Sequence, residues 1–211
     1  MERVKDLQKR RAQNQSNMKT NNCKLVLNMI RDNLKADISR ADIAKSTGMS
    51  ATSITRITDF LMESGLIRQA ETITNGTVGR NGIRLQVVAD AVMTLGISID
   101  SDYIDLCILN FADQFIGNKK IKLSACGYQA EEILEIAYKG FQELCKEMEF
   151  NPQDISVVGI SCIGNIDYQT GTVFFAPQFQ WHKVELGEMA RKKFGLPVFV
   201  ENDMKSSLIG L

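Results

Sequence analysis

The chain has 211 residues, 44% hydrophobic and 24% charged, with 25 Lys and Arg against 25 Asp and Glu. That length and apolar content suffice for one or two buried cores, and three Pro with 15 Gly exclude a collagenous or low-complexity chain. No apolar run approaches the ~20 residues of a membrane span, and the N-terminal MERVKDLQKRRAQNQ lacks the apolar core of a secretory signal. Five widely spaced cysteines, Cys23, Cys107, Cys126, Cys145 and Cys162, form no CxxC pair, so neither a disulfide framework nor a zinc site is indicated. The expectation is a cytoplasmic protein without membrane contact, its thiols reduced and used as small buried hydrophobes.

The zero net charge conceals a split. Residues 1–89 carry fifteen Lys and Arg against eight Asp and Glu, and residues 90–211 carry ten against seventeen. A basic segment with an anionic partner, joined to an acidic domain, would have this pattern; so would chance clustering of solvated charge. The basic excess begins in a tail, residues 1–17, which lacks apolar periodicity and reads as disordered or as a frayed helix.

Residues 18–88 read as a winged helix-turn-helix. Leu25, Val26, Met29, Ile30 and Leu34 recur at helical spacing and predict an amphipathic helix over about 21–33. Ser39 and Asp42 form a capping-box-like start for a short second helix. In SRADIAKSTGMSATSITRITDFLMESGLI, Ala44, Gly48 and Ile54 are spaced by four and six. Two crossing helices need a small residue at the first, a permissive turn at the second and a core apolar at the third. Ser50 is the expected N-cap of the next helix, whose buried stripe is Ile54, Ile57, Leu61 and Met62. Thr52, Ser53, Thr55 and Arg56 are then left, with Ser50, to face a DNA major groove; a plain helical bundle with a solvated polar face is the rival reading.

LIRQAETIT and IRLQVV flank the Gly- and Asn-rich NGTVGRNG and predict a β-hairpin, the wing. Arg80 at its tip is placed to enter a minor groove or meet phosphate. Arg68 and Arg84 read either as backbone contacts or as solvated strand charges.

Residues 91–211 predict the order β-β-β-α-β-hairpin-α-β-α: VMTLGISI, YIDLCIL and QFIGNKKIKL, a helix within 127–148 with Ile133, Ile136, Ala137, Phe141 and Leu144 inward, and ISVVGISCI as a strand buried on both faces. A hairpin around Asp167–Gly171, a helix from about Val184 to Phe194, the strand LPVFVE and a helix from near Asn202 follow. The fold class is therefore a two-domain α+β chain, a winged helix-turn-helix followed by one lobe of an actin-like, ribonuclease-H-like α/β fold.

The tract VGISCIGNIDYQTGTVFFAPQFQW…FGLPVFVENDMKSSLIGL resembles the ROK family of repressors, open reading frames and sugar kinases. The combination of STGMSATSITRITDFLMESGLI, VGRNGIRLQV and LGISI resembles it too. The likeness runs from about residue 20 to the end and is most specific in VEND. It implies that Asn202 and Asp203 are the sugar-contacting pair, Asp203 standing where the kinases keep their general base. It also implies that Gly164 lies beside the sugar and that Gln178 replaces an Asn usual after Ala-Pro. From the residues alone, Asp203 reads first as a helix N-cap, a role that can hold beside the sugar contact. The kinases carry Asp-x-Gly-Gly-Thr at the first hairpin, where this chain has Ser98-Ile99-Asp100-Ser101-Asp102. Asp100 and Ser101 stand for the glycines and Asp102 for the Thr, and two carboxylates facing that space oppose phosphate binding, so no catalytic residue is expected.

Family members continue past the position of Leu211 with a second lobe carrying His and Glu sugar ligands, a Cys-rich zinc loop and much of a dimer interface. The resemblance thus implies a sugar site with one wall in this chain, no metal or cofactor before residue 211, and a homodimer for the full-length protein. His182, beside Trp181, reads as an ordinary surface or packing histidine, with Trp181 anchoring the hairpin. The combined expectation is a repressor of carbohydrate-metabolism genes that binds a double-stranded operator and senses a sugar or sugar phosphate. The alternatives are a remnant that binds DNA weakly and senses nothing, and a sugar kinase.

Overall fold

A computed structural model describes the backbone of residues 2–34, 38–70, 83–124 and 127–209, and side chains within these from residue 17 to 208. The chain divides into two compact units, Met1–Ala91 and Val92–Leu211.

The first unit opens with α1, Glu2–Asp32, a single helix of 31 residues. The segment expected to be disordered or frayed is therefore its first half. Residues 2–20 contain neither Gly nor Pro and are rich in Lys, Arg and Gln, which form helix without an apolar face to reveal it. Val26 and Ile30 are buried, whereas Leu25 and Leu34 of the expected stripe are exposed.

The strand β1, Ile38–Ser39, leads into α2, Arg40–Thr47. The Ser39 hydroxyl accepts from the Asp42 amide, and the Asp42 carboxylate accepts in return from the Ser39 amide. The Ser39 hydrogen bonds hold the Asp42 carboxyl below its ordinary value. Gly48 ends α2 in the left-handed region, φ +69°, its N–H on the Ala44 carbonyl at 2.9 Å. A side chain there would meet open space, so backbone conformation alone is what calls for glycine. Helix α3, Ala51–Glu63, follows.

Ile43, Ile54, Ile57 and Leu61 close the core between α2 and α3; Ala44 and Met62 are only half-buried. The hairpin is formed by β2, Ile67–Gln69, and β3, Arg84–Val87, paired antiparallel with Ile67 opposite Val87. β1 pairs with the other edge of β3, Ile38 opposite Leu85, making a three-stranded sheet where two strands were expected. The NGTVGRNG turn lies outside the described residues.

The second unit is built on a five-stranded sheet. Its strands are β4, Met93–Ile99; β5, Tyr103–Leu109; β6, Phe115–Lys122; β7, Ile155–Cys162; and β11, Val198–Asn202, in the order β11-β7-β4-β5-β6. β4, β7 and β11 are mutually parallel, and β5 and β6 are antiparallel. One face of the sheet is covered by α4, Ala130–Glu147, which buries Ile133, Leu134, Ala137, Phe141 and Leu144, and by α5, Leu186–Phe194.

β7 was expected to be buried on both faces, but only alternate residues are: Val158, Ile160 and Cys162 are covered, and Gly159 and Ser161 are half-exposed. These small residues join Gly96, Ser98 and Cys107 on the opposite face. They line a groove of about 560 Å³ bounded by Phe115 and Phe199.

The predicted hairpin is a second three-stranded sheet of β8, Asn165–Asp167; β9, Thr172–Ala176; and β10, Trp181–Val184. Trp181 is its anchor: buried, stacked on Phe179 at 4.7 Å, with Nε1 donating to the Tyr128 carbonyl at 2.8 Å. His182 is exposed, its ring 5.0 Å from that of Phe175. A last helix, α6, spans Asp203–Ile209. Cys145 and Cys162 are buried, Cys23 and Cys107 half-buried, and Cys126 lies outside the described residues.

Candidate functional site

Helix α3 has two chemically distinct sides. Ile54, Ile57, Thr58 and Leu61 are buried, while Thr52, Ser53, Thr55 and Arg56 are exposed. The split follows from helical period: the exposed positions lie on the side opposite the apolar ones. Ser50 caps the helix, accepting from the Ser53 amide at 3.2 Å and sharing a hydrogen bond with the Ser53 hydroxyl at 2.9 Å. Thr55 donates to the Ala51 carbonyl at 2.9 Å. These hydroxyls are thus locally oriented, each with hydrogen-bonding capacity left over, while Arg56 extends as the one cation among the expected contacts on α3. Arg68 and Arg84 are exposed on the wing strands, and Arg80 lies outside the described residues.

Thr58, on the same side as Ile54 and Leu61, is fully buried. Its hydroxyl donates to the Thr55 carbonyl at 3.0 Å and accepts from Arg40 Nε at 2.8 Å. A hydroxyl on the apolar side of a helix is the available sequence signal, since it must find a partner when buried.

The second cluster forms at the carboxyl ends of β4, β7 and β11, where open parallel sheets commonly present ligand sites. Register aligns Ile99 with Cys162 and Cys162 with Asn202, so Asp100, Gly164 and Asp203 follow from neighbouring strands. Gly164 has φ +123°, and a Cβ there would sit 2.5 Å from the Phe175 carbonyl oxygen. Only glycine passes so close to β9.

Asn202 Nδ2 donates to the Gly164 carbonyl at 2.8 Å, and its Oδ1 accepts from the Met204 and Lys205 amides at 3.1 and 3.4 Å. The cap of α6 is therefore Asn202, not Asp203, because Asn202 still has strand geometry when the helix begins. Asp203 is left half-buried at the first helical position. Its carboxylate and that of Asp100 both act on the Cys162 thiol, whose pKa is pushed up to about 12, first by burial and then by these two charges.

Gln178 stands exposed in the turn between β9 and β10. Among the described residues no hydrogen bond ties it to Gly164 or Asn202, while the Asn202–Gly164 bond brings Gly164, Asn202 and Asp203 together.

At the 100–102 turn the Asp100 carboxylate accepts from the Ser101 amide at 2.6 Å and from its hydroxyl at 3.2 Å. An amide that a phosphate-binding loop would offer to its ligand is here occupied by the chain's own anion. No group of side chains able to hold a metal is present among the described residues. No described helix is long and apolar enough to cross a membrane.

Residues 94–210, more than half of the chain, match the ROK family, and residues 24–68 match a winged helix-turn-helix DNA-binding domain. The xylose repressor of Caldicellulosiruptor bescii is 29% identical over 197 residues, covering 93% of this chain and 48% of that protein. The xylose repressor of Bacillus spizizenii is 25% identical over 197 residues, covering 93% and 50%.

The crystal structure of a ROK family transcriptional regulator, a homologue of the E. coli MLC protein, matches with a TM-score of 0.72 at 23% identity. It covers 91% of this chain and 48% of that one, a likeness of fold. The chain spans about half the length of these relatives. With a winged helix-turn-helix followed by the sheet and helices of a kinase-type lobe, the chain belongs to the ROK family.

Proposed function

We propose that this chain is the DNA-reading arm and first sensor lobe of a sugar-responsive transcriptional repressor, acting in the cytoplasm, and that it transfers no phosphoryl group. The observation that carries the reading is α3. A helix capped by Ser50 and buried along one side presents Thr52, Ser53, Thr55 and Arg56 on the other, the arrangement that major-groove readout requires. In this reading Arg80 on the wing meets the adjacent minor groove or its phosphates.

Gly164, Asn202 and Asp203 form one wall of the effector site, with Gln178 reaching it from the β9–β10 turn. The relatives named as xylose repressors make D-xylose the first sugar to try. The Asp100 carboxylate on the Ser101 amide supports a sensing lobe over a kinase, because it fills the place where a glycine-rich loop would cradle phosphate.

Sugar binding between this lobe and a second one, in a homodimer of the full-length protein, would favour a conformation whose paired α3 helices no longer match two half-sites. Release from DNA is then the linked consequence.

The test is a titration of the full-length protein, bound to a fluorescent duplex enriched from a random pool, with D-xylose, other pentoses and hexoses, and their phosphates. Release by one sugar class at concentrations that leave the others inert supports the reading. Tight duplex binding indifferent to every sugar contradicts the sensing role, and ATP-dependent phosphorylation of any sugar contradicts the non-enzymatic one.

A further inference from the structure

Asp59 presents a difficulty for a DNA-reading α3. It lies seven residues after Thr52, four after Thr55 and three after Arg56, which places it on the same helical face as the expected base contacts. Its side chain is half exposed. A bare carboxylate there would repel the phosphates that α3 must approach.

Arg40, the first residue of α2, answers it. Nη2 donates to Asp59 Oδ1 at 3.2 Å and Nε donates to Thr58 Oγ1 at 2.8 Å. Thr58 is itself buried and tied to the Thr55 carbonyl, so its oxygen is a fixed point rather than a rotor.

Nε and one proton of Nη2 form one edge of the planar guanidinium, and both are committed. The other edge, Nη1 with the second Nη2 proton, has no hydrogen-bond partner among the described residues. The Arg40 side chain as a whole is about a quarter exposed. Five donors in a rigid fork allow one edge to be held while the other binds an anion, and phosphate oxygens match that spacing. In helix-turn-helix docking the first helix of the motif crosses the sugar–phosphate backbone while the second enters the groove.

We propose that Arg40 is a phosphate-contacting residue, its guanidinium held by Thr58 and Asp59 so that the outer edge meets a phosphodiester flanking the groove that α3 enters. Asp59 and Thr58 are positioning residues in this scheme. The carboxylate does not oppose DNA because Arg40 neutralises it and turns the remaining donors outward. The inference rests on the reading of α3 as the base-contacting helix.

The test compares wild type with Arg40→Ala and Arg40→Gln, the second shorter but keeping a donor for Thr58 where Nε stood. Binding is measured against the pool-enriched duplex and a scrambled duplex of equal length, across salt concentrations. Removing one phosphate contact should lower the slope of log affinity against log salt by about 0.9. The ratio of wild-type to variant affinity should then be about 3.5-fold larger at 50 mM than at 200 mM salt, alike on both duplexes.

A variant that is only partly folded lowers the active fraction and leaves the slope alone, so a changed slope reports the contact rather than stability. Thr58→Val should reproduce part of the slope change with Arg40 still present. An unchanged slope in both Arg40 variants overturns the assignment of Arg40 alone. Failure of the wild-type chain to bind any duplex overturns the reading beneath it.

Discussion

The side-chain amide of Asn202 donates to the carbonyl of Gly164 at 2.8 Å, so the residue that ends β11 holds the loop that ends β7. The same side chain caps α6 through Oδ1. One amide therefore fixes two of the four expected effector residues, Gly164 and Asn202 itself, and sets where a third, Asp203, begins its helix. A sugar that engaged Asn202 would act on a group already committed to both elements, a direct route from ligand to backbone.

Asn202→Ala removes both the cap and the tie to Gly164 and should cost about 2 kcal/mol of stability. Asn202→Asp keeps a cap acceptor, loses the donor, and should cost about 1 kcal/mol. Urea unfolding followed by the fluorescence of Trp181, the only tryptophan and in the same unit, measures both. Equal losses in the two variants would show that the Gly164 tie accounts for all of it.

Gly164→Ala should be more damaging than its size suggests. Its Cβ would meet the Phe175 carbonyl oxygen at 2.5 Å with φ at +123°, and neither backbone can give way without disturbing β8 or β9. A loss of about 2 kcal/mol or more is expected in the same unfolding assay. Gly48→Ala, by contrast, meets no atom and should lose only the left-handed backbone preference, about 1 kcal/mol.

Cys162 gives the second unit an alkaline limit. Its pKa is raised from 9.0 to about 12 by burial and by Asp203 and Asp100. Below pH 9 the thiol is protonated in folded and unfolded chains alike, and its stabilising contribution is fully present. Above that, the unfolded chain releases the proton while the folded one retains it, so stability falls as pH rises toward about 12. Cys145, raised to about 11, adds to the same fall. The urea midpoint should drop between pH 8 and 10.5, and less steeply in Cys162→Ala; identical slopes in the two proteins would contradict the assignment.

Much of this architecture was legible because its signals are local. The Ser39–Asp42 box, the Gly48 turn, the Ser50 cap and the Ile54–Ile57–Leu61 stripe each rest on a few adjacent residues, and each forms as expected. The first half of α1 was not legible, because a helix without an apolar face carries propensity but no period. β1 was missed because two residues carry no alternation; it exists only through its pairing with β3.

Within the sites, Arg40, Thr58 and Asp59 meet through a contact 18 and 19 residues apart, which no spacing rule anticipates. The exchange of Asp203 for Asn202 as the helix cap turned on a single residue of backbone conformation.

Arg56 carries the sharpest functional expectation. Arg56→Ala should weaken binding to an enriched duplex by about 1–3 kcal/mol and relax the preference at one base pair, with little effect on a scrambled duplex. Fluorescence anisotropy at fixed salt measures both. Equal loss on the two duplexes would make Arg56 a phosphate contact instead.

The most direct measurement is selection of the 211-residue chain against a randomised duplex pool at physiological salt, with sequencing of what survives. An enriched motif is expected, and it should disappear when Thr52, Thr55 and Arg56 are replaced together by Ala in a chain that remains folded. Recovery of no motif, or of the same motif from that triple variant, would contradict the central claim that α3 reads DNA.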